Sequence, residues 1–435
     1  MTHLEPFSFA SAIREARART ASLFALLHPD AYLERPIPLR HPFVFYDGHL
    51  AAFAWNVLFR KTLGVPSFNP DFDSRFERGI DPEAEALSPR QDAWPSRDAI
   101  AVYKQEIYTR LDSFLDGFDP ERPPHPWLQG GRVLYILLEH ELMHQETLLY
   151  MVHQLPTSLK RRRDADPPPP IPVDRPAPVA VPAGAARLGC RKADGPFAWD
   201  NENPAHTVNV PAFRIDATPC TNGEFRDFVD AGGYRRREFW EPEAWAWLQR
   251  HGQTHPRFWL RRDADWEFRD LFEPIPLPLD WPVLVTHAEA SAYARFKGKQ
   301  LPTEAEWQRA ALGDDVERPY PWGWEAPGPE HGNFGFQRLS PTPVGAYPQG
   351  ASPFGVLDMF GNGWEWTSTP FAPFAGFEAD PRYPHYSADF FDGKHVVLKG
   401  GSWATDVQLL RASFRNWFYA TYPYAYATFR CVERS

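Results

Sequence analysis

Residues 131–155 read GRVLYILLEHELMHQETLLYMVHQL. The apolar residues recur at helical spacing, so the stretch predicts one long helix. Within it lies HELMHQE, residues 140–146, where His140 and His144 stand four apart. On a helix that spacing puts both imidazoles on one face, about 5–6 Å apart at Cβ, which suits chelation of a single ion. A third ligand has to come from another helix facing the same interior. His49 is the candidate: it sits mid-helix in FYDGHLAAF, among apolar neighbours where a charge is costly.

Working outward, three more stretches carry the same periodicity. FASAIREARARTASLFALL begins at Phe9, FVFYDGHLAAFAWNVLFRKTL runs from Phe43 to Leu63, and SRDAIAVYKQEIYTRLDSFLDGF opens on Ser96, a suitable N-cap. Four helices of this length predict an antiparallel bundle over residues 1–158. The composition then breaks. LKRRRDADPPPPIPVDRPAPVAVPAG is rich in proline and charge, cannot form a core, and favours extended polyproline II, which predicts a linker over 159–181. Residues 182–435 change to short strands, Gly/Pro/Asn turns and scattered Trp. Two short helices are expected there: NGEFRDFVDAG, capped by Thr221 or Asn222, and TEAEWQRAAL, where Thr303 and Glu306 form a capping box. The fold class is thus a helical bundle followed by an irregular α+β domain.

Composition narrows the function. Hydrophobic residues at 43% and charged residues at 23% describe a soluble globular chain with ample core. A net charge of −10 with no offsetting basic face argues against nucleic acid as a partner. Seventeen Trp among 15% aromatic residues predict aromatic loops packed on one another, or a ring-lined site. Cys190, Cys220 and Cys431 are too few and too far apart for a disulfide framework or a CxxC knuckle, and they fit a reduced cytoplasmic setting. The N-terminus lacks the apolar core of a signal peptide, and no run of about 18 apolar residues is present to span a membrane.

HELMH also matches HExxH, the zinc metalloprotease motif, with Glu141 as its base. That reading needs a downstream ligand on a further helix, or HExxHxxGxxH. QETLLYM follows instead, and the chain then enters the proline-rich segment.

Three features converge on one family. The His pair at the end of the bundle, the segment DNENPAHTVNVPAFRID, and the C-terminal GNGWEWTS and LKGGSWATDVQLLRASFRNW resemble the EgtB/OvoA/SenA family of non-haem iron sulfoxide and selenoxide synthases. The resemblance covers nearly the whole chain. It implies an N-terminal DinB-like four-helix bundle and a C-terminal formylglycine-generating-enzyme-like domain of C-type lectin type. DNENPAH (200–206), LPTEAEW (301–307), YPWG (320–323), GNGWEW (361–366) and KGGSW (399–403) carry the second half of the match.

The resemblance implies an iron(II) site on His49, His140 and His144, with dioxygen as cosubstrate and hercynine, the trimethylated betaine of histidine, as substrate. The family's catalytic tyrosine lies in a loop that here reads DPRYPHYSADFFDG. Tyr386 takes the matching position, with Tyr383 as the near competitor. A phenol beside the metal can supply a proton or hydrogen atom and steer oxidation toward C–S or C–Se bond formation. Asn416 and Trp417 match substrate-contacting positions, and aromatic faces suit a quaternary ammonium. Arg411 and Arg415 in the same tract read as structural.

Departures from the family pattern bear on the sulfur or selenium donor. Members that use γ-glutamylcysteine carry Asp after RNW, where this chain has Phe418, and a Gln where it has Met143. They also carry an arginine pair that cannot be matched in RGIDPEAEALSPRQ, residues 78–91. The resemblance therefore favours a selenoneine synthase using a selenosugar over an ergothioneine-type enzyme using cysteine or γ-glutamylcysteine. True formylglycine-generating enzymes need two copper-binding cysteines near the C-terminus, where only Cys431 lies. A non-catalytic lectin-like binding module fused to a metal-bound bundle is the remaining alternative.

Overall fold

The computed structural model describes residues 7–77, 94–162, 170–171, 176–191 and 194–434. It divides into two compact units: Met1–Arg163 together with Pro381–Tyr383, and Asp164–Asp380 together with Pro384–Ser435.

The first unit is helical. Its elements are α1 (Phe9–Phe24), α2 (Phe43–Ala54), α3 (Pro70–Arg75), α4 (Arg97–Asp116) and α5 (Arg132–Gln154). In α1 the buried residues are Ile13, Ala16, Thr20 and Leu23, a single stripe at spacings of three and four. In α4 the stripe is Ile100, Tyr103, Ile107, Leu111 and Leu115, and the Ser96 side chain accepts from Ala99 N–H at 3.2 Å, as the N-cap assignment requires. Helices α2 and α5 are buried nearly all round, so they are the central pair, with α1 packed on α5 and α4 on α2. The expected single helix over 43–63 changes character midway: Trp55–Thr62 is a π-helix continuing α2. Helix α3, which lacks any long periodic pattern, was not among the expected elements.

The second unit is built from short pieces. Strands β1 (Val179–Val181), β2 (Gly184–Leu188), β3 (His206–Val210) and β4 (Phe213–Ile215) precede helices α6 (Asn222–Asp230) and α7 (Pro242–His251). Strands β5 (Trp259–Arg262), β6 (Asp265–Arg269) and β7 (Pro274–Pro276) form a meander, followed by α8 (His287–Phe296) and α9 (Glu304–Leu312). Strands β8 (Trp364–Pro370), β9 (His395–Lys399), β10 (Asn416–Tyr419), β11 (Ala427–Thr428) and β12 (Val432–Arg434) complete it. The main sheet has the order β10-β9-β8-β11, and β12 joins β1 and β4 in a second sheet. Val179–Val181, the end of the stretch assigned to the linker, is thus a paired strand: alternating apolar residues next to a partner outweigh the flanking prolines.

Both expected short helices form, α6 with a Thr221–Glu224 capping box and α9 with Thr303–Glu306. Helix α8 carries a third box, Thr286–Glu289, which the sequence also displays. The core centres on Trp307, Phe334, Met359, Phe360 and Ile215. Beneath it, Glu365 of the GNGWEW tract accepts from Trp307 Nε1 at 3.0 Å and from both Nε and Nη2 of buried Arg430. Cys190, Cys220 and Cys431 are buried and form no disulfide among the described residues. Among the described residues, no helix is long and apolar enough to cross a membrane.

Candidate metal centre

His49 on α2 and His140 and His144 on α5 meet in the bundle interior. Their ligand atoms lie within 4.8 Å of one another, the one such cluster among the described residues. His140 Nε2 is 3.3 Å from His49 Nε2 and 3.2 Å from His144 Nε2. His49 Nδ1 donates to the Phe76 carbonyl at 2.7 Å, which fixes its tautomer and leaves the Nε2 lone pair aimed at the other two rings. Lone pairs converging at this range repel one another unless a cation sits among them, so the donor set fits a metal ion. Burial pushes the His49 imidazole down to about 4 and holds His140 and His144 well below the usual range, helped by the charge that a second protonated imidazole would place beside each and, at His144, by Arg40. The rings are therefore neutral at pH 7, the form in which imidazole binds metal.

Aromatic rings wall the site. Phe53 stacks on His140 at 3.5 Å between centroids, and Phe45 stacks on His49 at 5.0 Å. Glu141, the would-be protease base, points elsewhere: it is buried and accepts from Thr20 Oγ1 of α1 at 2.7 Å. Met143, three residues on from His140, is half-buried on α5.

Of the two loop tyrosines, the one grouped with the histidines is Tyr383. Its ring lies 5.1 Å from Phe53 and 6.2 Å from His140. Tyr386 belongs to the second unit, where its buried ring stacks on Trp199 at 3.8 Å and meets Trp417 edge-on at 5.3 Å. Tyr383 thus lies beside the ligands within the first unit, and Tyr386 packs on Trp199 and Trp417 within the second.

In the second unit, β10 carries Asn416, Trp417 and Phe418 against β9. Strand alternation separates them. Trp417 lies with Phe371, stacked at 4.3 Å, and with Phe390, while Phe418 lies on the other side, stacked on Tyr422 at 4.8 Å with 4° between planes. Asn416 Oδ1 accepts from Trp417 N–H. Arg415 pairs with buried Glu304 and donates to the carbonyls of Asn201 and Ala372; Arg411 pairs with buried Glu202. Both guanidinium groups are thus engaged by buried carboxylates of the second unit. Residues 78–91, the stretch in which the arginine pair could not be matched, lie outside the described residues. What sequence reasoning missed is the segment behind His49: Gly48, Asp73 and Phe76. The one available signal was a glycine in the middle of an otherwise apolar helix.

Comparison with known proteins agrees with this architecture. Residues 12–148 match the DinB superfamily and residues 165–435 the sulfatase-modifying factor enzyme 1-like domain. The chain is 43% identical over 429 residues to the hercynine oxygenase of Mycolicibacterium thermoresistibile, covering 93% of this chain and 89% of that one. It is 42% identical over 306 residues to the hercynine oxygenase of Mycobacterium tuberculosis, covering 69% and 70%. With ergothioneine biosynthesis protein 1 of Neurospora crassa it shares 29% identity over 500 residues, covering 94% of this chain and 55% of that protein.

Proposed function

Since the chain belongs to the hercynine oxygenase family, we propose that it is an iron(II)- and dioxygen-dependent oxidoreductase that joins sulfur or selenium to the imidazole C2 of hercynine. The observation that carries this is the convergence of three neutral imidazoles, at 3.2 and 3.3 Å, in a ring-walled interior. His49, His140 and His144 would hold the iron. Iron held there would supply the one-electron steps that dioxygen needs.

The overall reaction balances without another reductant. The imidazole C–H and the donor S–H or Se–H are broken, the C–S or C–Se bond forms, one oxygen atom ends on the chalcogen and the other leaves as water. The chain's own groups have three tasks. The Phe76 carbonyl keeps the His49 proton on Nδ1. Phe53 and Phe45 exclude water from the ligand face. Tyr383, rather than Tyr386, is the phenol that supplies a proton or hydrogen atom, since its ring is the one beside His140. Asn416 and Trp417 recognise hercynine, Trp417 offering a ring face to the trimethylammonium.

For the donor, we favour a seleno- or thiosugar. Phe418 and Tyr422 form a flat apolar stack where a carboxylate partner for an α-amino group would otherwise stand. Burying the charges of γ-glutamylcysteine without partners costs several kcal/mol. The sulfur reading, with cysteine or γ-glutamylcysteine, is supported by the likeness to ergothioneine biosynthesis protein 1 of Neurospora crassa. The protein acts on small molecules in either case, in the cytoplasm, with no nucleic acid or membrane partner. Anaerobically iron-loaded protein, given hercynine with each of cysteine, γ-glutamylcysteine, a thiosugar and a selenosugar, should consume oxygen with one donor class and yield the adduct by mass spectrometry. Absence of oxygen uptake with every donor would sink the enzymatic reading and leave a binding module.

A further inference from the structure

Behind His49, on the side away from the other two ligands, lies a buried polar knot that the reaction does not use. Its centre is Asp73 on α3, fully buried. The Asp73 carboxylate accepts from Trp55 Nε1 at 3.0 Å, Ser67 Oγ at 2.6 Å and Tyr103 OH at 2.7 Å, and Arg60 Nε stands 3.7 Å away. Its backbone carbonyl accepts from Asn56 Nδ2 at 3.0 Å. These partners come from the π-helix after α2, from α4 and from the loop between. A six-residue helix has no stability of its own. A buried carboxylate with one donor per direction is therefore what fixes the place and direction of α3.

Phe76 is the C-cap of α3, and a carbonyl at a helix C-terminus has no partner within the helix. The Phe76 carbonyl finds one in His49 Nδ1. Its ring fixes the approach: a Cβ built on Gly48 would come within 2.6 Å of three Phe76 ring atoms. The ring, fully buried and bounded by Phe45, Phe72 and Trp94, has nowhere to retreat. The glycine in mid-helix thus makes room for Phe76, at a cost of about 1 kcal/mol in helix propensity relative to Ala.

We infer that Gly48 and Asp73 are positioning residues for the metal site: they hold the Phe76 carbonyl against His49 Nδ1 and so keep the His49 Nε2 lone pair facing His140 and His144. This rests on the metal-site reading above. Loss of such an outer partner weakens metal binding by about 10–100-fold. An acceptor at Asp73 is required because Trp55 Nε1 can only donate; a methyl there would leave that N–H and the Tyr103 hydroxyl without their acceptor.

Cobalt(II), titrated into the full-length apo protein and followed by its d–d absorption, is the probe. Wild type should give the bands of a three-imidazole site; if it takes up no cobalt or iron, the metal-site reading itself fails. Gly48→Ala should bind cobalt about 10–100-fold more weakly. Gly48→Ala combined with Phe76→Leu, which vacates the space the methyl needs and keeps the carbonyl, should regain most of that loss. Asp73→Ala should weaken binding in the same way. In histidine-labelled apo protein, nitrogen NMR should show His49 protonated on Nδ1 in wild type and in the double variant, and largely on Nε2 in Gly48→Ala. A Gly48→Ala protein with wild-type affinity and tautomer overturns the inference. So does a loss that Phe76→Leu fails to recover, because the effect would then run through the stability of α2.

Discussion

Glu365→Gln probes the charged knot under the GNGWEW tract. Glu365 and Arg430 are both fully buried and joined by two hydrogen bonds, and Glu365 also accepts from Trp307 Nε1 at 3.0 Å. Arg430 further donates to the carbonyls of Asp216, Ala217 and Leu357, so it cannot leave when its counter-ion goes. The substitution keeps the volume but strands a guanidinium in the core and turns an amide N–H toward it. Breaking a buried pair in this manner costs about 3–5 kcal/mol. For a unit of this size each kcal/mol moves Tm by about 2–4 °C, so the fall should be about 6–20 °C. Differential scanning calorimetry of the full chain at pH 7 measures it, with a cobalt titration in parallel to show that the histidine site survives. A Tm within about 2 °C of wild type would refute the stranded-charge account.

Tyr383→Phe should leave cobalt binding near wild type but divert turnover from adduct to oxidised donor, lowering the product ratio by about 100-fold or more, whereas Tyr386→Phe should leave the ratio unchanged; mass spectrometry of both products decides between them. Phe418→Asp should lower kcat/KM for a sugar donor and admit an amino-bearing thiol, as read by steady-state kinetics. Burial lifts the Asp358 carboxyl up to about 6, against 3.8 for the free group. Its folded-state pKa is raised, so its contribution to stability is whole below about 3.8 and is lost as pH rises through 6, at most about 3 kcal/mol. Asp358→Asn keeps an acceptor for the Gly345 N–H and suits the positive φ of 55°, so its Tm should lose this decline between pH 4 and 6.

The histidine trio was legible because helical spacing is a strong signal: two residues four apart share a face, and an imidazole in an apolar run demands a reason. The capping box at Thr303, and a cap at Thr221 or Asn222, were legible for the same kind of reason, a local pattern with a local cause. Helix α3 was not, because six residues carry too little periodicity. Nor could the Phe76 carbonyl be anticipated, since every residue has one and only the fold aims it. Tyr383 and Tyr386 lie three apart in a loop that lacks a period, so only tertiary packing tells which ring meets Trp199 and which meets Phe53. Strand β10 shows the converse: Trp417 and Phe418 are adjacent in sequence yet serve different surroundings, as alternation alone requires.

That alternation has a consequence for how such a chain can change over generations. Along β10, one codon addresses the side holding Phe371 and Phe390, and the next addresses the side holding Tyr422. A substitution at 418 can remodel one surface while the other keeps its rings, so drift in the preference for one reactant need not erode the grip on its partner. A library randomised at 418 and 422 alone should therefore sample new donor preferences against a constant background at 417.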